Sequence, residues 1–154
     1  MVLEYLTLCN LPSAQRFVRL TANNLEKARR LAGWRRHLTR GWGQVKVVNV
    51  ESGTAGPMHV GGTLEVKAKV NLGGLSPDDV QVQLFHGLVG SLGEIPQPHT
   101  AAMSTNGAPR EGNTWQFSGR IPCRSSGQHG FAVRVLPRHG DLGNPYEPGL
   151  VTWG

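Results

Sequence analysis

The sequence predicts a mainly β protein, an antiparallel β-sandwich preceded by an N-terminal α-helical segment. Three observations predict it. The apolar period changes from near 3.6 to 2 just after Gly43. The 21 glycines and 10 prolines among 154 residues supply more turn material than a helical bundle uses. Basic charge is concentrated at one end: Arg16, Arg19, Lys27, Arg29, Arg30, Arg35, Arg36 and Arg40 stand between Ser13 and Trp42, against one acid, Glu26. The formal charge of +6 belongs to that segment, and the chain from Gln44 onward is neutral. Residues 1–43 are therefore read as a helical segment and residues 44–154 as a β domain.

In the helical segment, Val2, Tyr5, Leu6 and Cys9 recur at helical spacing. Pro12 then punctuates, and Ser13 is placed to cap the next helix. Phe17, Leu20, Leu25, Ala28, Leu31, Ala32, Leu38 and Trp42 define an apolar stripe with some drift, ended by Gly41 and Gly43. Such a stripe needs a partner surface.

The β domain opens with "QVKVVNV", whose alternation slips phase between Val47 and Val48 and suggests a bulge. In "TLEVKAKVNL", Leu64, Val66, Ala68, Val70 and Leu72 face one way and charged or polar residues the other, as in a half-buried antiparallel strand. "SPDD" forms a turn, and "DVQVQLFHG" then directs Val80, Val82 and Leu84 inward. Between Ser91 and Asn113 an irregular edge strand is expected around residues 100–104, with a turn at Asn106-Gly107. "TWQFSGRIPCR", "GFAVRVLPRH" and a short "GLVTW" complete the set. About six or seven short strands, with turns every eight to twelve residues or so, match an immunoglobulin-like sandwich.

No residue pattern demands catalysis. Cys123, His129 and His139 give C-x5-H-x9-H, which lacks the short paired spacing of a zinc site, and nothing in the sequence activates the thiol. Cys123 has inward strand parity, His129 reads as a turn residue and His139 as a strand end. His86 also has inward parity and reads as a hydrogen-bonded structural histidine. Its neighbour Phe85 points outward, and an exposed aromatic on a sheet face marks packing against another domain or, more sharply, sugar stacking. Asp78 and Asp79 are turn and strand-start residues, because glycoside chemistry needs carboxylates opposed across a substrate. The glycine pairs lack phosphate-loop spacing. The arginines of the helix suit a solvated face or salt bridges to a neighbouring domain; a phosphate-tracking nucleic-acid surface is the weaker alternative.

The two cysteines lie far apart in segments of different character, which points to a reducing, cytoplasmic compartment. The apolar start is interrupted by Glu4 and is too short to span a membrane, so neither export nor anchoring is expected.

Several stretches, in order and over nearly the whole chain, resemble the C-terminal end of the long bacterial α-glucan (glycogen or maltodextrin) phosphorylases. "MVLEYLTLCNLPSAQR" resembles the terminal-helix pattern of that family, and "RLTANNLEKARRLAGWRRHLTRGWGQVKV" the following helix and entry into its β domain. "LSPDDVQVQLFHG", "SGRIPCRSSGQHGFAVRVLPRH" and "PGLVTW" resemble its C-terminal β module. Departures fall at Cys9-Asn10, Phe131 and Gly140. The resemblance implies a parent enzyme with two Rossmann-like lobes and a lysine-bound pyridoxal phosphate, which releases glucose 1-phosphate by phosphorolysis of α-1,4-glucan. None of Lys27, Lys46, Lys67 or Lys69 lies in a cofactor-lysine motif, so no catalytic, cofactor or metal residue is carried onto this chain.

The expectation is a non-catalytic C-terminal piece, inactive alone, whose partners are phosphorylase catalytic lobes in cis or in trans. Phe17, Leu25, Leu31 and Leu38 are the candidate interdomain contacts, and exposing them would drive self-association. Phe85 is the candidate α-glucan contact of an alternative, stand-alone carbohydrate-binding module.

Overall fold

The computed structural model describes residues 6–53, 59–105, 107–109 and 111–154. The start of the first expected helix and the turn residue Asn106 lie outside them. A π-helical turn, Leu6–Asn10, runs directly into helix α1 (Leu11–Gly41). Ser13 is therefore not the cap: Asn10 holds that position, without a side-chain bond, and Pro12 lies in the first turn. Proline is tolerated there because a first-turn N–H has no intrahelical partner to lose.

The drift in the apolar stripe has a structural cause. Ala22 is extended (ψ 157°), and Asn23, Asn24 and Leu25 take φ of 51°, 55° and 64°. Asparagine enters this left-handed region more readily than most residues, and Leu25 is carried with the pair. α1 is thus two arms, 11–21 and 26–41. On a straight helix Arg16 and Arg35 would stand about 28 Å apart. Both instead reach the same oxygen, Glu147 Oε1, at 2.9 and 3.3 Å, so the arms double back as a hairpin.

After a 3-10 turn at Trp42–Gln44 come eight strands: β1 (Lys46–Ser52), β2 (Thr63–Asn71), β3 (Val80–Leu88), β4 (His99–Ala102), β5 (Ser104–Thr105), β6 (Thr114–Pro122), β7 (His129–Pro137) and β8 (Thr152–Trp153). They form two four-stranded antiparallel sheets, β1-β2-β6-β5 and β4-β3-β7-β8, packed as the expected sandwich. The phase slip in β1 is a register shift between Val47 and Asn49, which leaves Val48 exposed. The irregular edge strand is two short ones: β4 pairs with β3 and β5 with β6, so the chain changes sheets at buried Met103.

Alternation places the core where the sequence put it. Val66, Ala68, Val70 and Leu72 from one sheet meet Val80, Val82, Leu84, Val133 and Val135 from the other. Leu64, at the start of β2, is only partly buried against them. Gly119 on β6 allows a close approach. A Cβ there would lie 2.9 Å from both Leu84 Cδ1 and Met103 Cγ, so a larger residue would force those side chains to give way.

The second arm of α1 packs onto this sandwich. Leu38 is 0% exposed and belongs to the same core, while Trp42 and Leu31 are also buried. Beside them the Trp34 indole N–H donates to Asp79 Oδ1 at 2.7 Å, and its ring tilts against His139 at 4.8 Å between centroids. Asp79 is preset for this, since its Oδ2 accepts the Ser76 N–H in the capping box that opens the Pro77–Asp79 turn. A loop after β7 then ties both arms: Asp141 pairs with Arg19 at 3.1 Å, and Glu147 with Arg16 and Arg35.

Two outcomes follow for stability. Leu38→Ala should lower the unfolding free energy by about 2–5 kcal/mol in urea titration, the range for a fully buried leucine. Burial alone would raise the Glu147 pKa, but the Gly143 N–H and the Arg16 and Arg35 charges outweigh it and hold the carboxyl below its usual value. A depressed carboxylate contributes stability above its unfolded pKa, and that stability is lost as pH falls through the folded one. Stability measured from pH 7 down into the acid range should therefore fall less steeply in Glu147→Gln than in the unchanged chain.

Candidate functional site

Three features outside the core have the makings of a site. The first lies on the outer face of the β4-β3-β7-β8 sheet. Register sets Gln83 of β3 opposite Arg134 of β7, and Arg134 opposite Trp153 of β8. Arg134 Nε donates to Gln83 Oε1 at 3.0 Å, which fixes the guanidinium over the sheet. Three rings surround it, Phe85 at 5.4 Å and Tyr146 and Trp153 each at 5.7 Å, all within cation–π range. Phe85 meets Trp153 edge to face at 5.5 Å. Phe85 points outward as its parity requires, yet it is half-buried. The open rings are Tyr146 and Trp153, at 55% and 50% exposure. The sequence reading missed Tyr146, Trp153 and Arg134. The aromatic Trp153 in the short final strand was the available signal.

The second feature is the apolar surface of the π-turn and first arm. Leu8, Phe17 and Val18 are 75%, 68% and 67% exposed, and Leu11 is exposed as well. Leu11 and Val18 stand one heptad apart and share a helix face. Here the four candidate contacts divide. Phe17 and Leu25 are exposed, but Leu31 and Leu38 are buried within this chain. That corrects the expectation that all four await an outside partner: Leu38 enters the sandwich core, and Leu31 is buried within the chain.

The third feature is a cavity of about 580 Å³ at one end of the sandwich. His86, His99 and His129 line it with Arg124, Thr100, Gln97 and Ser125. His86 is 8% exposed, and neither ring nitrogen bonds a described residue, contrary to the hydrogen-bonded role expected of it. His129 opens β7 rather than sitting in a turn, and its Nε2 lies 2.9 Å from the Ser125 carbonyl oxygen. Cys123, expected in the core, is a half-buried free thiol just past β6, where the sheet ends before the inward parity can enclose it. His139 lies past β7 against Trp34. Among the described residues no group of three His, Cys, Asp or Glu side chains is placed to hold a metal ion.

The arginines of α1 take the salt-bridge role weighed for them in part. Arg16, Arg19 and Arg35 pair with the loop after β7, and Arg30 pairs with Glu26 one turn away. No helix among the described residues is long and apolar enough to cross a membrane.

The fold and these surfaces define a β-sandwich module with a helical hairpin built onto one side. Residues 42–154 match the glycogen phosphorylase C-terminal domain, and the chain belongs to that family. It is 37% identical over 153 residues to a glycogen phosphorylase of Mycobacterium bovis and 36% identical to that of Mycobacterium tuberculosis. It is 26% identical over 161 residues to a maltodextrin phosphorylase of Thermococcus litoralis. Each match covers 99% of this chain but 18% of the relative, so the chain spans less than a fifth of their length. A Pseudomonas fluorescens alkylpurine DNA glycosylase structure aligns over 75% of this chain and 36% of its own, at 16% identity. Its TM-score of 0.37 is too low to carry an argument.

The pyridoxal phosphate that the resemblance implies for the parent enzymes does not fit these residues. A Schiff base needs a lysine amine inside an enclosed pocket. Lys27, Lys46 and Lys67 are exposed, Lys69 pairs with Glu51 at 3.3 Å, and none lines the large cavity.

Proposed function

We propose that this chain is the non-catalytic C-terminal part of an α-glucan phosphorylase, and that its role is to dock on and brace the catalytic lobes. The parent reaction, phosphorolysis of α-1,4-glucan to glucose 1-phosphate, belongs to those lobes. The observation that carries this reading is the exposed apolar face of the first arm. Leu8, Leu11, Phe17 and Val18 project from a hairpin whose second arm is already satisfied by the sandwich. A face of that kind on a module that spans 18% of its relatives fits a surface covered by the other parts of such an enzyme. Phe17 and Leu25 are the remaining interdomain contacts of the original four.

A second reading rests on a separate observation, the three rings held around Arg134. Tyr146 and Trp153 offer flat apolar faces on which the pyranose rings of an α-glucan could stack, with Phe85 as their support.

The isolated chain should self-associate and bind a hydrophobic dye, and Leu8→Asp combined with Phe17→Asp should yield a dye-silent monomer of unchanged circular dichroism. A monodisperse monomer at high concentration before any substitution would count against the docking face. For the second reading, affinity electrophoresis through glycogen should retard the chain, and Tyr146→Ala with Trp153→Ala should abolish the retardation. Unretarded migration of the unchanged chain would remove that reading.

A further inference from the structure

We propose that the cavity at the end of the sandwich binds a phosphomonoester, a phosphate-type oxyanion carried on a small organic body. The inference stands apart from docking, because a chain that docks nowhere could still bind an anion there. Three strand ends build the site. Antiparallel register sets His86 of β3 opposite His99 of β4, with ring centroids 5.9 Å apart, and Leu88 of β3 opposite His129 of β7. The link between β6 and β7 adds Arg124 and Ser125.

The strongest observation is His86 itself. Its side chain is largely buried, yet it borders the open cavity, bonds no described residue, and its ring nitrogens are not among the enclosed orphan atoms, so they stay accessible to a ligand there. Every ionisable group lining the cavity is a cation or becomes one: His86, His99, His129 and Arg124. Glu94, on the loop between β3 and β4, has its carboxylate beside Gly90 and does not line the cavity. The element packed on the other side of His86, β7, presents uncharged Phe131 opposite it.

Burial and then the neighbouring His99, His129 and Arg124 lower the His86 pKa, because each disfavours the imidazolium. An oxyanion would supply the missing countercharge and favour the imidazolium. The Ser125 carbonyl oxygen can only accept, so His129 Nε2 carries a proton and donates to it, and Nδ1 donates to an oxyanion only in the imidazolium. A metal ion is the poorer occupant, since no three ligating groups among the described residues converge. A bare oxyanion would fill only part of about 580 Å³, a size ordinary for organic ligands. The remaining wall is apolar, formed by Leu88, Pro96, Ala101 and Pro122, and Thr100, Gln97 and Ser125 add hydrogen-bonding groups.

Isothermal titration of the 154-residue chain with sodium sulfate tests the anion site, because sulfate stays dianionic through neutral pH and any pH dependence then belongs to the imidazoles. Saturable binding is expected to tighten about fivefold or more from roughly pH 8 to roughly pH 6. Arg124→Gln and His129→Gln, both at exposed positions, should each weaken it about tenfold, while Arg36→Gln on the helix leaves it unchanged. Phenyl phosphate at roughly pH 8, where it too is dianionic, should bind more tightly than sulfate. Non-saturable or pH-independent binding, or equal weakening by Arg36→Gln, would overturn the site. Phenyl phosphate no tighter than sulfate would overturn the organic body.

Discussion

The helical half of this chain depends on one short seam. There Leu38 enters the sandwich core with no exposed surface, and the Trp34 indole donates to Asp79 at the start of β3. Arm 26–41 is too short to be more than marginally helical in water on its own, so its helicity must come from that packing. The seam also carries a cost. Trp42 Nε1 is buried without a hydrogen-bond partner among the described residues, a penalty of about 1–3 kcal/mol. Burial of Leu31, Leu38 and Trp42 together exceeds it, at about 1.5–3 kcal/mol for each aliphatic side chain. Arm 11–21 depends on the seam at one remove, because Arg16 and Arg19 reach the sandwich only through the loop that also holds Arg35. The same loop presents Tyr146 next to Glu147, so the hairpin and the aromatic platform share a support.

The sandwich was legible because a sheet with one buried face records its orientation every second residue. Val80, Val82 and Leu84 carried it clearly, and even the bulge at Val48 showed as a slip in alternation. The hairpin was not legible. Asn23 and Asn24 are acceptable in a helix by propensity, and only their tertiary setting sends them left-handed. Periodicity also could not divide the stripe. Phe17 and Leu38 look alike as apolar helix residues, but one faces outward and the other fills the core. Which partner covers an apolar face is a long-range fact.

The two surface sites were hidden for the same reason. Phe85 was visible from parity, but its companions Arg134, Tyr146 and Trp153 come from β7, a loop and β8. Of the cavity histidines, His86 was read as a lone structural residue, His129 was weighed with Cys123 and His139, and His99 was not singled out; strand register brings all three to one end of the sheet. Kinship was legible where chemistry was not: the β-module stretches that resemble the phosphorylases lie within residues 42–154, which match the family, and the helical stretches fall within matches that cover 99% of the chain. Their physical content is that of strands, turns and a helix seam, which is why they mark a fold without marking a reaction.

The central claim is that the second arm of α1 is an integral part of this sandwich, leaving the first arm free to face outward. Native-state hydrogen exchange resolved by residue tests it most directly. The account predicts that amides of residues 29–41 open only with the free energy that exposes β2, β3 and β6, while residues 11–21 exchange at a distinctly lower one. Exchange of residues 29–41 at the rate of an isolated helix, with the strands still protected, would contradict it.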